Sequence, residues 1–308
     1  MEIALQFVLL ALGFVMLAKG ADWFVEGAAG IAMRFGIPQL VIGLTIVAMG
    51  TSAPEAAVSI AAAVKGNADI TIGNIVGSNI LNILVILGLA ASIVPIAVAR
   101  STVRIEIPFM IGVTALLFYQ GRDGSISLAD GGVLMVAFAV YMMYLYTMAM
   151  KSNVDSDLEE PGLPLGRCLL GAVGGLALII AGSNVTVGAA TSIATYAGLS
   201  ERFIGLTIVA LGTSLPELFT SVAAARRGNA DIAIGNIVGS NIFNILFVVG
   251  LSSLIIDIPF ASAFNFDTYV ALGAAVLLLL CVLRTQRLQR WAGALMLVCY
   301  AAYLGYIL

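Results

Sequence analysis

Long apolar runs, separated by short polar or glycine-containing breaks, occupy almost the whole chain. A helix needs roughly 20 apolar residues to cross the hydrocarbon core of a bilayer, and most of these runs reach that length. The breaks predict about ten such segments, at residues 3–30, 39–65, 70–96, 103–120, 128–150, 166–195, 203–225, 232–256, 268–284 and 289–308. The pattern therefore predicts an all-α membrane protein with ten transmembrane helices.

Composition supports a membrane protein and argues against several other classes. Hydrophobic residues make up 61% of the chain and charged residues 10%, whereas soluble proteins carry about 25% charged residues. The 17 acidic and 14 basic residues are nearly balanced, which gives no sign of a nucleic-acid partner. Histidine is absent, so the usual zinc ligand and the usual proton shuttle are missing. The lipid bilayer is the expected partner; no cofactor is expected, and no obligatory protein partner is evident.

One hexapeptide occurs twice, each time inside an apolar run: Gly50–Glu55 reads GTSAPE and Gly212–Glu217 reads GTSLPE. A charge in hydrocarbon costs at least about 2.5–3.5 kcal/mol, and a proline removes a backbone donor from a helix. Interrupted helices expose carbonyl oxygens, which together with hydroxyl and carboxylate oxygens are the ligands of hard cations. The repeats therefore predict broken helices around a cation site with Glu55 and Glu217 as its carboxylates. A proline kink beside a buried, protonated glutamate is the alternative interpretation.

A second repeated block follows each hexapeptide. It reads GNIVGSNILN from Gly73 in one copy and GNIVGSNIFN from Gly235 in the other. Residues four apart share a helix face, so each copy carries a polar stripe that we expect to face the same carboxylates. The functional candidates in these stripes are Ser78, Asn82, Ser240 and Asn244. The glycines of the block predict close helix packing instead, and Asp69 and Asp231 fall at predicted span ends.

The two blocks belong to a duplication of about half the chain. Residues 42–84 match residues 204–246 at more than three quarters of positions. Residues 1–150 then form a first five-helix repeat and residues 165–308 a second one. Because each unit has an odd number of spans, the second enters the membrane from the opposite side, and the repeats are inverted. The polar stretch 151–164 between them is predicted to be a solvated acidic linker, with a calcium-sensing loop as the lesser alternative.

Basic residues predict the orientation. Loops on one side of the ten-span arrangement hold ten of them: Arg34, Arg100, Arg104, Lys151, Arg167, Arg226, Arg227, Arg284, Arg287 and Arg290. Loops on the other side hold only Lys65, Arg122 and Arg202. Since cytoplasmic loops carry the excess of Lys and Arg, both termini are predicted outside and the linker in the cytoplasm. Within the first span, Lys19, Asp22 and Glu26 could pair along one helix face, and we interpret them as an anchoring or packing cluster.

The repeated motifs resemble those of the cation/calcium exchanger superfamily, and specifically the sodium/calcium exchangers of prokaryotic type. This resemblance covers nearly the whole chain and implies ten transmembrane helices with the two signature repeats at the centre. It also implies that Glu55 and Glu217 hold calcium. The further ligands it implies are the hydroxyl or carbonyl oxygens of Thr51, Ser52, Thr213 and Ser214, the backbone carbonyls of Ala48 and Ala210, and the side chains of Ser78, Asn82 and Ser240. Some relatives place aspartate where this chain has Asn244, so potassium dependence is not expected.

Charge arithmetic points to the same activity. Two carboxylates carry a charge of −2, which one Ca²⁺ neutralises and which several Na⁺ ions could match at the same oxygens. Competition at a midplane site that opens alternately to each side is antiport. We therefore expect a secondary antiporter that exchanges Ca²⁺ for Na⁺ across the plasma (cell inner) membrane. A proton/calcium or other cation antiporter on the same fold is the nearest alternative. A membrane enzyme is disfavoured because there is no histidine base and no G-x-S-x-G motif. A passive channel is a further alternative that the sequence does not exclude.

Overall fold

The computed structural model describes residues 2–66, 69–152, 163–197 and 210–307, most of which are helical. In the first half, α1 is Glu2–Arg34, α2 is Gln39–Thr51, α3 is Ala53–Val64, α4 runs through Asp69–Leu81, Asn82–Leu87 and Gly88–Ile93, α5 through Thr102–Glu106 and Ile107–Gln120, and α6 is Leu128–Ser152. In the second half, α7 is Leu165–Tyr196, α8 is Ala210–Thr213, α9 is Leu215–Arg226, α10 runs through Ala230–Phe243, Asn244–Val249 and Gly250–Ile255, α11 is Ala263–Val282, and α12 is Arg290–Ile307.

Eight of the described helices are long and apolar enough to cross a bilayer, and the bent pair α2–α3 makes a ninth. These nine coincide with nine of the predicted spans, which confirms the prediction of an all-α membrane protein. The seventh predicted span, 203–225, begins outside the described residues, and only its part in α8 and α9 is seen. Most of the predicted linker 151–164 also lies outside the described residues; α6 ends at Ser152 and α7 begins at Leu165.

Four two-residue strands were not expected from the apolar pattern. Strand β1 (Ile96–Ala97) pairs antiparallel with β4 (Arg287–Leu288), and β2 (Ser125–Ile126) pairs antiparallel with β3 (Ile258–Pro259). In each pair, a loop of the first half joins a loop of the second half. The pairing supplies partners for loop backbone groups beside the helix ends, which would otherwise lack them.

Helices α4 and α10 form the centre of the molecule. Of the most apolar stretch of each helix, 94% is buried in α10 and 78% in α4, against 17% in α1, α6 and α12. The outer helices therefore present their apolar side chains to lipid. Both central helices widen into a π-helical turn at the same place in the repeat, Asn82–Leu87 in α4 and Asn244–Val249 in α10. Such turns occur frequently at functional sites.

The repeated glycines let helices approach closely in the second copy, where Gly235 and Gly239 lie against α2. In the first copy the prediction of close packing is wrong for Gly77, where a Cβ atom would meet no described atom within 4 Å. A Cβ atom at Gly73 would reach only the ring of Phe264, at 3.4 Å. A Cβ atom added at Gly239 of α10 would lie 2.8 Å from the Cβ of Ala48 and from the Cα of Leu44, both on α2. Outside the repeats, Gly27 of α1 lies directly against the backbone of Ala172 on α7. Side chains larger than hydrogen would force these backbones apart. Close backbone packing is a general source of helix association in membranes.

Candidate functional site

Both repeated hexapeptides break their helices, and the break places each glutamate in the first turn of a new helix. Helices α2 and α3 meet at Ser52 at an angle of 51°; α8 and α9 meet at Ser214, whose backbone angles are nearly those of Ser52. Proline occupies the first turn of α3 and of α9, where its missing N–H has no helical partner to lose. The positive end of each helix dipole therefore lies close to a carboxylate.

Glu55 and Glu217 are each only 1% exposed, and each receives a hydrogen bond from the other half of the chain. Ser52 Oγ donates to Glu217 Oε1 at 2.8 Å, and Ser214 Oγ donates to Glu55 Oε1 at 3.3 Å. Thr213 also approaches Glu55, and Thr51 approaches Glu217. The two carboxylates are close enough for their charges to interact. The structure thus brings both predicted acids and all four predicted hydroxyl residues into one site.

Four buried oxygens on two pairs of repeated residues have no hydrogen-bond partner. They are Glu55 Oε2, Glu217 Oε2, Asn82 Oδ1 and Asn244 Oδ1. Buried polar atoms are nearly always paired, because an unpaired one loses its hydration without compensation. All four are acceptors, so a cation can satisfy them and a hydrogen-bond acceptor cannot. The atoms form two pairs related by the 162-residue repeat.

The amide orientations of Asn82 and Asn244 follow from two asparagines that the sequence reasoning did not single out. Asn82 Nδ2 donates to Asn241 Oδ1 at 2.9 Å, and Asn244 Nδ2 donates to Asn79 Oδ1 at 3.2 Å. Asn79 and Asn241 also donate to each other's backbone carbonyl, both at 3.2 Å. With their nitrogens used in this network, Asn82 and Asn244 keep their oxygens available. The signal for Asn79 and Asn241 was their place inside the second repeated block.

A further pair of asparagines holds the broken helices against the central ones. Asn74 of α4 donates to Ser59 Oγ at 2.9 Å and to the Glu55 carbonyl at 3.2 Å. Asn236 of α10 does the same with Ser221 Oγ at 2.9 Å and the Glu217 carbonyl at 3.4 Å. Each glutamate is therefore positioned through its own backbone.

Asn236 carries one more contact, because its side-chain oxygen accepts a hydrogen bond from Thr51 Oγ1 at 2.9 Å. This contact ties the end of α2 to α10. On the opposite side of the site, the Gly212 carbonyl lies in the last turn of α8, where carbonyls have no helical donor. Ser183 Oγ of α7 donates to that carbonyl at 2.7 Å.

The remaining predicted ligands are Ala48, Ser78, Ser240 and Ala210, and their contacts differ. The Ala48 carbonyl already accepts hydrogen bonds from the Ser52 nitrogen at 3.0 Å and from Ser240 Oγ and Thr51 Oγ1, both at 3.3 Å. Ser78 and Ser240 are both buried in the central helices. Ala210 begins α8, and its side-chain surroundings lie outside the described part of the chain.

Two acidic residues of the first span lie outside the candidate site and form ion pairs with an arginine that the sequence did not indicate as their partner. Asp22 and Glu26 of α1 form ion pairs at 3.3 and 3.1 Å with Arg227, which follows α9. Their contact is therefore between helices and not along one helix face with Lys19. Asp231 lies in the first turn of α10, as predicted for a span end. Within the described ranges, no three Asp, Glu, His or Cys side chains come together, so the two glutamates supply the charge of the site.

Comparison with known proteins shows the family of this chain. A model of the family described as sodium/calcium exchanger protein matches residues 5–147 and 168–308. CaxA of Alkalimonas amylolytica is 41% identical, with 98% of each chain covered. The inner membrane protein YrbG of Escherichia coli is 38% identical over 94% of this chain and 92% of its own.

Among solved structures, the sodium-calcium exchanger NCX_Mj, soaked with zero Na⁺ and Ca²⁺, superposes with a TM-score of 0.87. It is 33% identical, and the match covers 99% of this chain and 100% of that one. The match includes the helical fold and extends over both repeated blocks. The protein is therefore a transporter and not an enzyme, and the chain belongs to the sodium/calcium exchanger family.

Proposed function

We propose that this protein is a secondary active antiporter that exchanges Ca²⁺ for Na⁺ by alternating access, with Glu55 and Glu217 as the central cation-binding carboxylates. The observation that carries the proposal is the set of four buried, unpartnered oxygens on Glu55, Glu217, Asn82 and Asn244. Both ions are substrates here, and the proposal includes no cofactor.

The charge and the number of these oxygens suit calcium. Two carboxylates neutralise one Ca²⁺, which takes 6–8 oxygen ligands. The four unpartnered atoms supply part of that shell, and the hydroxyls of Thr51, Ser52, Thr213 and Ser214 lie within the same site. Ser78, Ser240 and the carbonyls of Ala48 and Ala210 are the further candidates. Sodium takes oxygen ligands too, so the two cations compete for one set, and this competition is the basis of antiport.

Pairing between the short strands supports ten membrane crossings in two inverted repeats. Strand β2 is hydrogen-bonded to β3, so both lie on the same face of the membrane. The chain between them contains α6, α7, the α8–α9 segment and α10. An even number of crossings is needed to return to the same face, so the α8–α9 segment has to cross as well. Strands β1 and β4 require the same parity.

Membrane orientation is the next part of the proposal: the plasma membrane, with both termini outside. The name of the Escherichia coli relative supports the inner membrane, and the distribution of basic loop residues supports the orientation. The face of β2 and β3 is then external, and the face of β1 and β4 is cytoplasmic.

Single cysteines should report this orientation. In a background without Cys168, Cys281 and Cys299, Ser125→Cys should react with an impermeant thiol reagent in intact cells. Thr285→Cys, in an exposed turn, should react only after the cells are opened. Denatured samples serve as the control, because they show that each cysteine can react once it is accessible. The opposite labelling pattern would contradict the orientation and leave the crossing number intact.

Ion replacement tests the driving ion. Purified protein in liposomes loaded with Na⁺ should take up Ca²⁺ when external Na⁺ is removed. Uptake should disappear when the internal Na⁺ is replaced by choline at the same pH. External potassium should not be required, because the site holds two carboxylates and Asn244 is neutral. If a pH gradient alone drives uptake and Na⁺ has no effect, the protein is a proton/calcium antiporter on the same fold.

A further inference from the structure

A third buried carboxylate lies outside the central site. Glu106 of α5 has no exposed surface, although it lies in a membrane-spanning helix. The hydroxyl of Tyr144, on α6, donates a hydrogen bond to Glu106 Oε1. A buried ionised carboxylate needs more than one neutral donor to offset its lost hydration. Glu106 is not part of the repeated motifs.

Unpartnered oxygens surround this carboxylate. Glu106 Oε2, Thr102 Oγ1 and the Tyr141 hydroxyl are all buried and form no hydrogen bond of ordinary geometry. Thr102 stands one turn before Glu106 and approaches its carboxylate. Tyr141 lies one turn before Tyr144 on α6 and is close enough to interact with the charge of Glu106. The backbone between Thr102 and Glu106 is itself a π-helical turn. One oxygen of the carboxylate and the hydroxyl oxygens of two neighbouring side chains are therefore buried together without partners.

The second half of the chain shows that the fold does not require this cluster. Shifted by 162 residues, Glu106 becomes Thr268 and Thr102 becomes Phe264. Thr268 Oγ1 donates to the Phe264 carbonyl at 2.7 Å, and the equivalent of Tyr141, Tyr303, donates to Asp267 at 2.9 Å. The equivalent helix α11 is α-helical through this stretch. The polar groups of the second half are thus paired where those of the first half are not.

We infer that Glu106, Thr102 and Tyr141 form a second, separate binding site for one monovalent cation, Na⁺, between α5 and α6. One carboxylate carries a charge of −1, which a monovalent cation neutralises. A Ca²⁺ ion at the same place would leave a net positive charge within the membrane, where charge is expensive. A bound Na⁺ would satisfy the three unpartnered oxygens together and link the two helices. This inference does not depend on the proposed exchange activity.

Binding of Na⁺ alone can test the site once the central site is removed. The background is the purified Glu55→Gln/Glu217→Gln protein, and the measurement is equilibrium binding of radioactive ²²Na⁺. We expect one Na⁺ per protein to remain in this background. Adding Glu106→Gln should abolish it, and adding Tyr141→Phe should weaken it by about tenfold, as expected for loss of one buried oxygen partner.

Asp267→Asn supplies the matched control, because Asp267 lies in the equivalent helix and pairs with the equivalent tyrosine; it should leave Na⁺ binding unchanged. Thr102→Val is a second test should Glu106→Gln fail to fold, and it should weaken binding as Tyr141→Phe does. Absence of the residual Na⁺, or its survival in the Glu106→Gln protein, would overturn the inference. So would an infrared carbonyl band of a protonated carboxyl group that is lost with Glu106→Gln, since Glu106 would then hold a proton in place of the cation.

Discussion

Calcium transport is expected to fall by about 100-fold when either Glu55 or Glu217 is changed to glutamine. A hydrogen bond or ligand bond to a charged group contributes up to about 3 kcal/mol, and each 1.4 kcal/mol corresponds to a factor of ten. Glutamine keeps the shape of the side chain and can still accept the hydrogen bond from Ser214 or Ser52. The variants should therefore fold and lose only the charge. Calcium uptake into sodium-loaded liposomes measures the effect, and size-exclusion profiles measure folding.

Asp231→Asn and Asp69→Asn, made separately, are the controls for these two variants. Asp231 lies in the first turn of α10, at a span end, and is not among the unpartnered groups of the site. Both aspartate variants should retain most of the transport rate. Equal losses from the aspartate and glutamate variants would show that the cation site has been misplaced.

The second large effect is expected from a single methyl group at Gly239. A Cβ atom there would lie 2.8 Å from Ala48 Cβ, from Leu44 Cα and from the Leu44 carbonyl oxygen. None of these atoms can rotate away, so α2 has to move. Overpacking of this kind costs about 1–3 kcal/mol. The movement would also disturb the contacts of α2 with α10, from Thr51 to Asn236 and from Ser240 to the Ala48 carbonyl. Gly239→Ala should therefore lower the unfolding temperature and reduce calcium uptake.

Gly112→Ala is the matched control, since Gly112 is exposed on α5 and a Cβ there would meet no described atom within 4 Å. It should lower neither the unfolding temperature nor the calcium uptake, since alanine is favoured over glycine in an exposed helix. Wild-type behaviour of Gly239→Ala in both measurements would show that α2 and α10 are not in close contact in the membrane.

Much of the fold and the members of the central site could be predicted because their signals are local. An apolar run of spanning length, a proline within it and a glutamate beside the proline are all visible within a few residues. The breaks at Ser52 and Ser214 follow from these hexapeptides. The small residues at Gly235 and Gly239 likewise predicted a close helix contact, and α2 supplies it.

Features that depend on distant partners could not be predicted. Nothing near Ser52 indicates that its hydroxyl donates to Glu217, 165 residues later. Arg227 was assigned to a loop, and its ion pairs with Asp22 and Glu26 depend on how α9 meets α1. Glu106 lies outside both repeated motifs, and its environment comes from Tyr141 and Tyr144 on another helix. The short strands are invisible to hydropathy, since two residues give no periodicity.

The crossed hydrogen bonds of Ser52 and Ser214 have a genetic consequence. Each carboxylate takes its hydroxyl partner from the opposite half of the gene, so neither half encodes a complete set of these contacts. A mutation in one hexapeptide alters the surroundings of the acid in the other. Neither half can therefore replace the other. Substitutions in the two hexapeptides are coupled, and deletion of either half removes one carboxylate and the hydroxyl partner of the other. A chain with only one copy of the hexapeptide could form these crossed hydrogen bonds only where two such chains met.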